Sequence, residues 1–173
     1  MNGPETTGAS RATLETKVPP PVWWLLAATA MWALDRWLPV QRLDAGLARP
    51  LLAVLAGAVA LVGSALVGEA MLRFVRARTT VHPLHPEHAS RLVVAGTYRY
   101  TRNPMYLGLL MLLAAWALWL GSLSVWLVLP LFVFVLTRLQ IVPEERALAA
   151  KFGEDYHAYC GAVRRWLGRR AAR

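Results

Sequence analysis

A single cysteine, Cys160, is all that 173 residues contain. An intramolecular disulfide is therefore impossible, and no Cys/His cluster has the spacing of a zinc site. Charge is scarce too, with charged residues at 17% and acidic ones numbering 10 against 19 Lys and Arg. There is no phosphate-cradling glycine loop, no dinucleotide glycine fingerprint and no Ser/His/Asp arrangement. What fills the chain is apolar: 57% of residues are hydrophobic and the mean hydropathy is +0.40. That is too greasy for a soluble domain of this length and points to the membrane class. The net charge of +9 alone would suit a nucleic-acid binder. The arginines lie between apolar stretches, however, so anionic lipid headgroups and membrane orientation account for them, and no nucleic acid is expected.

Residues 1–20 mix Glu5, Arg11, Glu15 and Lys17 without an apolar core, which reads as a disordered tail rather than a signal peptide or a span. One membrane domain is expected over 21–173. Four apolar stretches follow, at about 22–40, 51–72, 104–120 and 123–141; a crossing helix needs roughly 20 such residues. The link Gly121-Ser122-Leu123-Ser124 is short enough to make the last two a tight antiparallel hairpin. In the second stretch Ala56, Ala60, Ser64 and Gly68 recur every fourth residue, a small-residue ridge read as packing. After Pro143, Leu148, Phe152, Tyr156, Tyr159, Val163 and Trp166 fall at helical spacing, which predicts an amphipathic helix over 143–168 that Gly153 interrupts. The expected architecture is all-α: four transmembrane helices and a C-terminal amphipathic cytoplasmic helix.

Basic residues set the orientation. Arg73, Arg76, Arg78, Arg91, Arg99 and Arg102 lie between spans two and three, and seven more follow Ile141, from Arg146 to Arg173; the 3–4 turn has none. The positive-inside rule makes that basic side cytoplasmic, with both termini, while Arg42, Arg49 and Asp44 dissent mildly on the other face.

Two clusters carry possible chemistry. In Arg102-Asn103-Pro104, the proline suits the first helical position and Asn103 the N-cap, placing Tyr106 in the first turn. A helix N-terminus flanked by arginine can seat a carboxylate or phosphate. The same residues, with Tyr98 and Tyr100, also read as a capped helix inside an aromatic belt. Glu144-Glu145 follow Pro143, where acidic residues are ordinary helix-dipole chemistry. The hairpin should bring both clusters together on the cytoplasmic face, giving one site with cation and anion partners that suits a zwitterion. Glu69 at the end of span two joins them or simply pairs with Arg73 four residues on. His82, His85 and His88 read as a polar loop, because Pro83 and Pro86 keep it extended. Cys160 lacks an evident base, so nucleophilic catalysis is not expected of it.

The runs LVVAGTYRYTRNPMYLG and IVPEERALAAKFGEDYHAY, in that order, resemble the isoprenylcysteine carboxyl methyltransferase and phospholipid methyltransferase superfamily of integral-membrane enzymes over about 79–166. That resemblance implies S-adenosylmethionine as cosubstrate, no metal, and a cofactor loop at 77–103 beneath the C-terminal helix. It also implies a lipophilic or lipid acceptor arriving from the bilayer. The family's Gly-x-Tyr step falls on Gly96 and Tyr98, its Arg-His-Pro-x-Tyr motif on Arg102, Asn103, Pro104 and Tyr106, and its acidic pair on Glu144 and Glu145. Asn103 stands where many relatives carry His; an amide can donate a hydrogen bond but does not act as acid or base near neutral pH. Arg102 and Glu145 are the residues expected to orient the reacting groups. Isoprenylcysteine-like carboxylate, phospholipid amine, small thiol or another amphipathic metabolite all remain open as acceptor. A non-enzymatic membrane scaffold or small transporter subunit is the alternative from another class.

Overall fold

A computed structural model describes residues 18–43, 46, 48–76 and 92–170. Residues 1–17, Asp44 and the His82/His85/His88 loop lie outside the described residues. The described chain is all-helical. Helix α1 spans Pro20–Trp37, α2 Ala48–Arg76 and α3 Pro104–Leu120. A 3-10 turn, Ser124–Leu127, leads into α4, Val128–Leu136; a π-turn, Thr137–Ile141, then joins α5, Val142–Ala162. By length and composition Ala48–Arg73 and the continuous rod Ser124–Ala162 are long and apolar enough to cross a membrane, and α3 is a shorter apolar helix.

The rod corrects one sequence expectation. The fourth apolar stretch and the amphipathic helix are a single body, because Pro143 does not break it. A proline within a helix cannot supply its own N–H and crowds the preceding turn. Here the turn before it widens, with the Val142 N–H bonding the Thr137 carbonyl five residues back. The rod bends instead at Gly153, whose φ of 50° and ψ of −124° leave the helical region, as the sequence led one to expect. It stops at Ala162, short of 168. The chain then doubles back through a Val163–Arg169 bridge, held by the Arg164 N–H on the Gly168 carbonyl at 2.9 Å and the Arg170 N–H on the Ala162 carbonyl at 2.9 Å.

Helices α2 and α3 make the largest interface. Its contact line is Ala56, Gly63 and Ala70, spaced by seven, all buried, whereas Ser64 is exposed and a Cβ at Gly68 would meet nothing. The ridge expected at every fourth residue is therefore replaced by one at every seventh, the spacing that keeps one face on a partner over several turns. At the crossing a Cβ on Gly108 would fall 2.7 Å from the Gly63 carbonyl, so the backbones themselves touch. On the other side α1 is tied to α3 by indole N–H bonds onto helix carbonyls, Trp24 to Leu109 at 3.1 Å and Trp116 to Ala28 at 3.2 Å. Met31, Leu113, Leu136 and Ile141 are fully buried between them.

The two ends of the bundle are distinct. At one, the α1–α2 link meets the α3–α4 turn, with the Leu43 N–H on the Gly121 carbonyl at 2.7 Å and the Leu123 N–H on the Val40 carbonyl at 3.1 Å. At the other, Val18 before α1 meets Gln140, and residues 96–104 meet α5 and the chain after it. Both sequence clusters, Arg102-Asn103-Pro104 and Glu144-Glu145, lie at this second end.

Candidate functional site

Tyr106, in the first turn of α3, donates its hydroxyl to Glu144 Oε1 at 2.5 Å. Beside it, Glu145 takes two arginines. Arg102 Nη2 lies 2.9 Å from Oε1, and Arg165 reaches Oε1 through Nε at 2.9 Å and Oε2 through Nη2 at 2.6 Å. The sequence-level expectation that Arg102, Tyr106, Glu144 and Glu145 converge thus holds in space. The two acidic neighbours are partnered differently. Glu144 lies buried on the Tyr106 phenol, and burial pushes its carboxyl up to about 8 despite the hydrogen bond it accepts, while Glu145 with its two guanidiniums is a triad of net charge +1.

The Arg102 side chain is only 9% exposed, also contacts the Cys160 sulfur, and keeps a buried Nε that has no partner. Burying a guanidinium this deeply is tolerable only with opposite charge and hydrogen bonds around it, which Glu145 begins to supply. Cys160, set aside in the sequence as a nucleophile, is a wall of this cation's pocket. The Glu145 carboxylate, by accepting two hydrogen bonds from Arg165, raises the Arg165 guanidinium further above its ordinary pKa.

Asn103 occupies the N-cap position of α3, but its side chain makes no cap bond. Its Nδ2 donates instead to the Arg165 carbonyl at 3.1 Å. The expectation of a capping amide is corrected: the amide clasps the returning C-terminal turn. That clasp is reinforced by the Arg102 N–H on the Arg164 carbonyl at 3.2 Å and the Gly168 N–H on the Tyr100 carbonyl at 2.7 Å. Buried Thr101 adds its hydroxyl to the Arg165 carbonyl at 3.4 Å. Pro104 is fully buried at the first helical position.

Gly96 and Tyr98 open the same wall. Gly96 has φ +66°, the left-handed region that favours glycine, and a Cβ there would crowd the ends of the Glu69 and Arg73 side chains. Of the two readings made of Glu69, the ion pair with Arg73 is the one its contacts show. The carboxylate pairs with Arg73 Nε at 2.5 Å on one helix face, and it accepts the Thr97 hydroxyl at 2.5 Å, fastening the turn Gly96–Arg99 to α2. Tyr98 is buried, which pushes its phenol well above the usual range, and its carbonyl accepts the Tyr159 hydroxyl at 2.7 Å.

A family model described as phospholipid methyltransferase matches residues 51–155, a stretch holding α2, α3 and both glutamates. The chain belongs to the phospholipid methyltransferase family. It is a membrane methyltransferase, and the family transfers methyl groups from S-adenosylmethionine to lipid acceptors. An uncharacterized protein of Haemophilus influenzae is 49% identical over 63 residues, covering 36% of this chain and the whole of that protein. No solved structure matches.

Arg165 is the main residue that sequence reasoning passed over. It stood there as one more basic residue of the tail, and no periodicity links it to Glu145. Only the end of the helix at Ala162 and the reversal after it bring the two together. The acidic pair Glu144-Glu145 was the available pointer, since a second acid beside a buried arginine leaves room for a further cation.

Proposed function

We propose that this phospholipid methyltransferase family member binds S-adenosylmethionine between Arg102 and Glu144, and transfers its methyl group to a lipophilic or amphipathic acceptor at the cytoplasmic membrane face. The observation that carries this reading is a cationic site beside a buried acid, Glu144, whose carboxyl burial pushes up to about 8 and which a nearby ammonium would draw back toward its charged form. The Arg102–Glu145–Arg165 triad keeps one net positive charge and a free guanidinium N–H buried at Arg102 Nε, and the Tyr106-held carboxyl of Glu144 lies beside it. An amino-acid moiety, with its carboxylate and ammonium, matches that pair. Gly96, Tyr98, Asn103 and Pro104 shape the wall.

S-adenosylmethionine, when bound, supplies an electrophilic methyl on sulfonium, open to in-line displacement. The protein's part is then placement and exclusion of water. Arg102 grips the carboxylate end, and Glu145 positions Arg102 rather than acting as a base, since both its oxygens are engaged by arginines. Glu144 is the carboxylate left to face an ammonium or to accept a proton from an amine or thiol acceptor; a carboxylate acceptor needs no base.

In this reading all four apolar stretches cross the bilayer, α1 and α3 being short at about 26 Å each. The site end is cytoplasmic with both termini, as the arginine distribution favours. The rod Ser124–Ala162, about 58 Å long, exceeds the roughly 30 Å of hydrocarbon, so its polar half stands clear of the membrane. Calorimetric titration of folded, detergent-purified protein with S-adenosylmethionine or its demethylated product tests the cofactor assignment. Binding is expected, and its absence at millimolar ligand would return the protein to the scaffold or transporter-subunit alternative. Transfer of labelled methyl into a lipid extract then identifies the acceptor.

A further inference from the structure

The turn that follows α5 serves the site from within, yet its outer side is exposed among the described residues. Arg164, Arg169 and Arg170 are exposed there, and Leu167 between them is 64% exposed. Next to Leu167, Trp166 folds inward onto the core, and its indole N–H reaches the Thr137 hydroxyl at 3.3 Å. Thr137 directly follows the apolar helix Val128–Leu136, and it precedes Glu144 by seven residues, about 10 Å of helix. The turn is therefore pulled back to the level where the apolar half of the rod begins. An exposed leucine at that level, beside a tryptophan and three arginines, has the composition of a segment seated at the boundary of headgroups and acyl chains.

We infer that residues 164–170 dock on the anionic headgroups of the leaflet, with Leu167 in the acyl boundary and Arg164, Arg169 and Arg170 on phosphates, and that this docking tightens the cofactor site. The coupling follows from the bonds on the inner side of the same turn. Arg165 holds Glu145, the Arg165 carbonyl takes the Asn103 amide, and the Gly168 N–H takes the Tyr100 carbonyl. A headgroup lattice that restrains the turn restrains all three. The partner is a membrane surface because charge and depth agree: each basic residue close to an anionic leaflet adds attraction that salt screens within a Debye length. The tightening half of the inference rests on the cofactor reading above; the docking half does not.

The test uses the full chain in nanodiscs of neutral phosphatidylcholine and in discs containing about 30% phosphatidylglycerol, a fraction that gives an appreciable negative surface potential. Hydrogen exchange is read at the amides of Arg164, Gly168 and Arg170, whose bonds close the turn. Exchange in anionic discs is expected to slow by about fivefold or more, and the slowing to vanish at about 0.5 M salt. It should also vanish in an Arg169→Gln/Arg170→Gln variant and shrink in Leu167→Ser. Equal exchange in the two kinds of disc, or equal slowing in the double variant, overturns the docking. In parallel, affinity for the demethylated cofactor should rise in anionic discs for the wild type and not for the double variant; a protected turn with unchanged affinity overturns the coupling. If no cofactor binds in any disc, the cofactor reading fails, while the exchange result still decides the docking.

Discussion

Glu145 and Arg165, twenty positions apart, meet in a two-pronged pair at 2.6 and 2.9 Å, and the same carboxylate holds Arg102 at 2.9 Å. Losing the carboxylate leaves two guanidiniums facing each other, one of them buried. Breaking a buried charge pair from one side costs about 3–5 kcal/mol of fold stability, so Glu145→Gln should lower the melting temperature. With Arg102 no longer held, it should also weaken cofactor affinity about a hundredfold, or roughly 2.8 kcal/mol. Arg165 is 37% exposed, and solvent screens its share, so Arg165→Ala should cost nearer tenfold, about 1.4 kcal/mol. Titration calorimetry on both single variants and the double checks this. Additive losses would show that the pair does not act as a unit.

Tyr106 and Glu144 separate fold from charge. Tyr106→Phe removes the donor to a carboxylate and should lower stability by about 1–3 kcal/mol, seen as a drop in melting temperature in detergent. Glu144→Gln retains an oxygen for the phenol, so it should melt near the wild type while losing most cofactor affinity. Wild-type binding in Glu144→Gln would remove Glu144 from the ligand contacts.

The α2–α3 crossing should tolerate no added methyl. Gly108→Ala forces its Cβ against backbone at Gly63 and Gly63→Ala against Gly108, so each should lose about 1–3 kcal/mol. Gly68→Ala meets open space and should be neutral or slightly stabilising. Unfolding of the three variants in graded denaturing detergent measures the difference; a Gly68→Ala as damaging as Gly108→Ala would mean the interface lies elsewhere.

Asn103 works as a donor to the Arg165 carbonyl. Asn103→His keeps a ring N–H and should retain most cofactor binding. Asn103→Asp places a carboxylate against a carbonyl and should loosen the turn, with affinity falling about tenfold or more, some 1–3 kcal/mol for the lost donor. Equal behaviour of the two variants would show that the amide's hydrogen bond is not what the position supplies.

Local signals in the sequence carried far. Pro104 marked the start of α3 to the residue, Gly121 its end, and Gly153 the bend in α5, because each acts through its own backbone preference. The meeting of Tyr106 with Glu144 followed from the shortness of one turn, which leaves a hairpin little freedom. Three features were hidden for a common reason. The contact line Ala56–Gly63–Ala70 depends on which face α3 takes. The role of Asn103 depends on a carbonyl sixty residues away. Arg165 reaches Glu145 only because the helix ends early and reverses, an outcome shared between bonds within 162–170 and the distant bonds to Tyr100 and Arg102.

The π-turn Thr137–Ile141 has a geometric consequence for the whole enzyme. Each residue advances an α-helix by 100°, so the one additional residue in this turn acts as a phase shift between the lower and upper halves of the rod. The face that α4 presents to its neighbours is dictated by the apolar core, through Phe132 and Leu136. The face that α5 presents to Tyr106 and Arg102 is dictated by the site. A regular helix would have to compromise between the two angular settings; the wide turn lets each half keep its own.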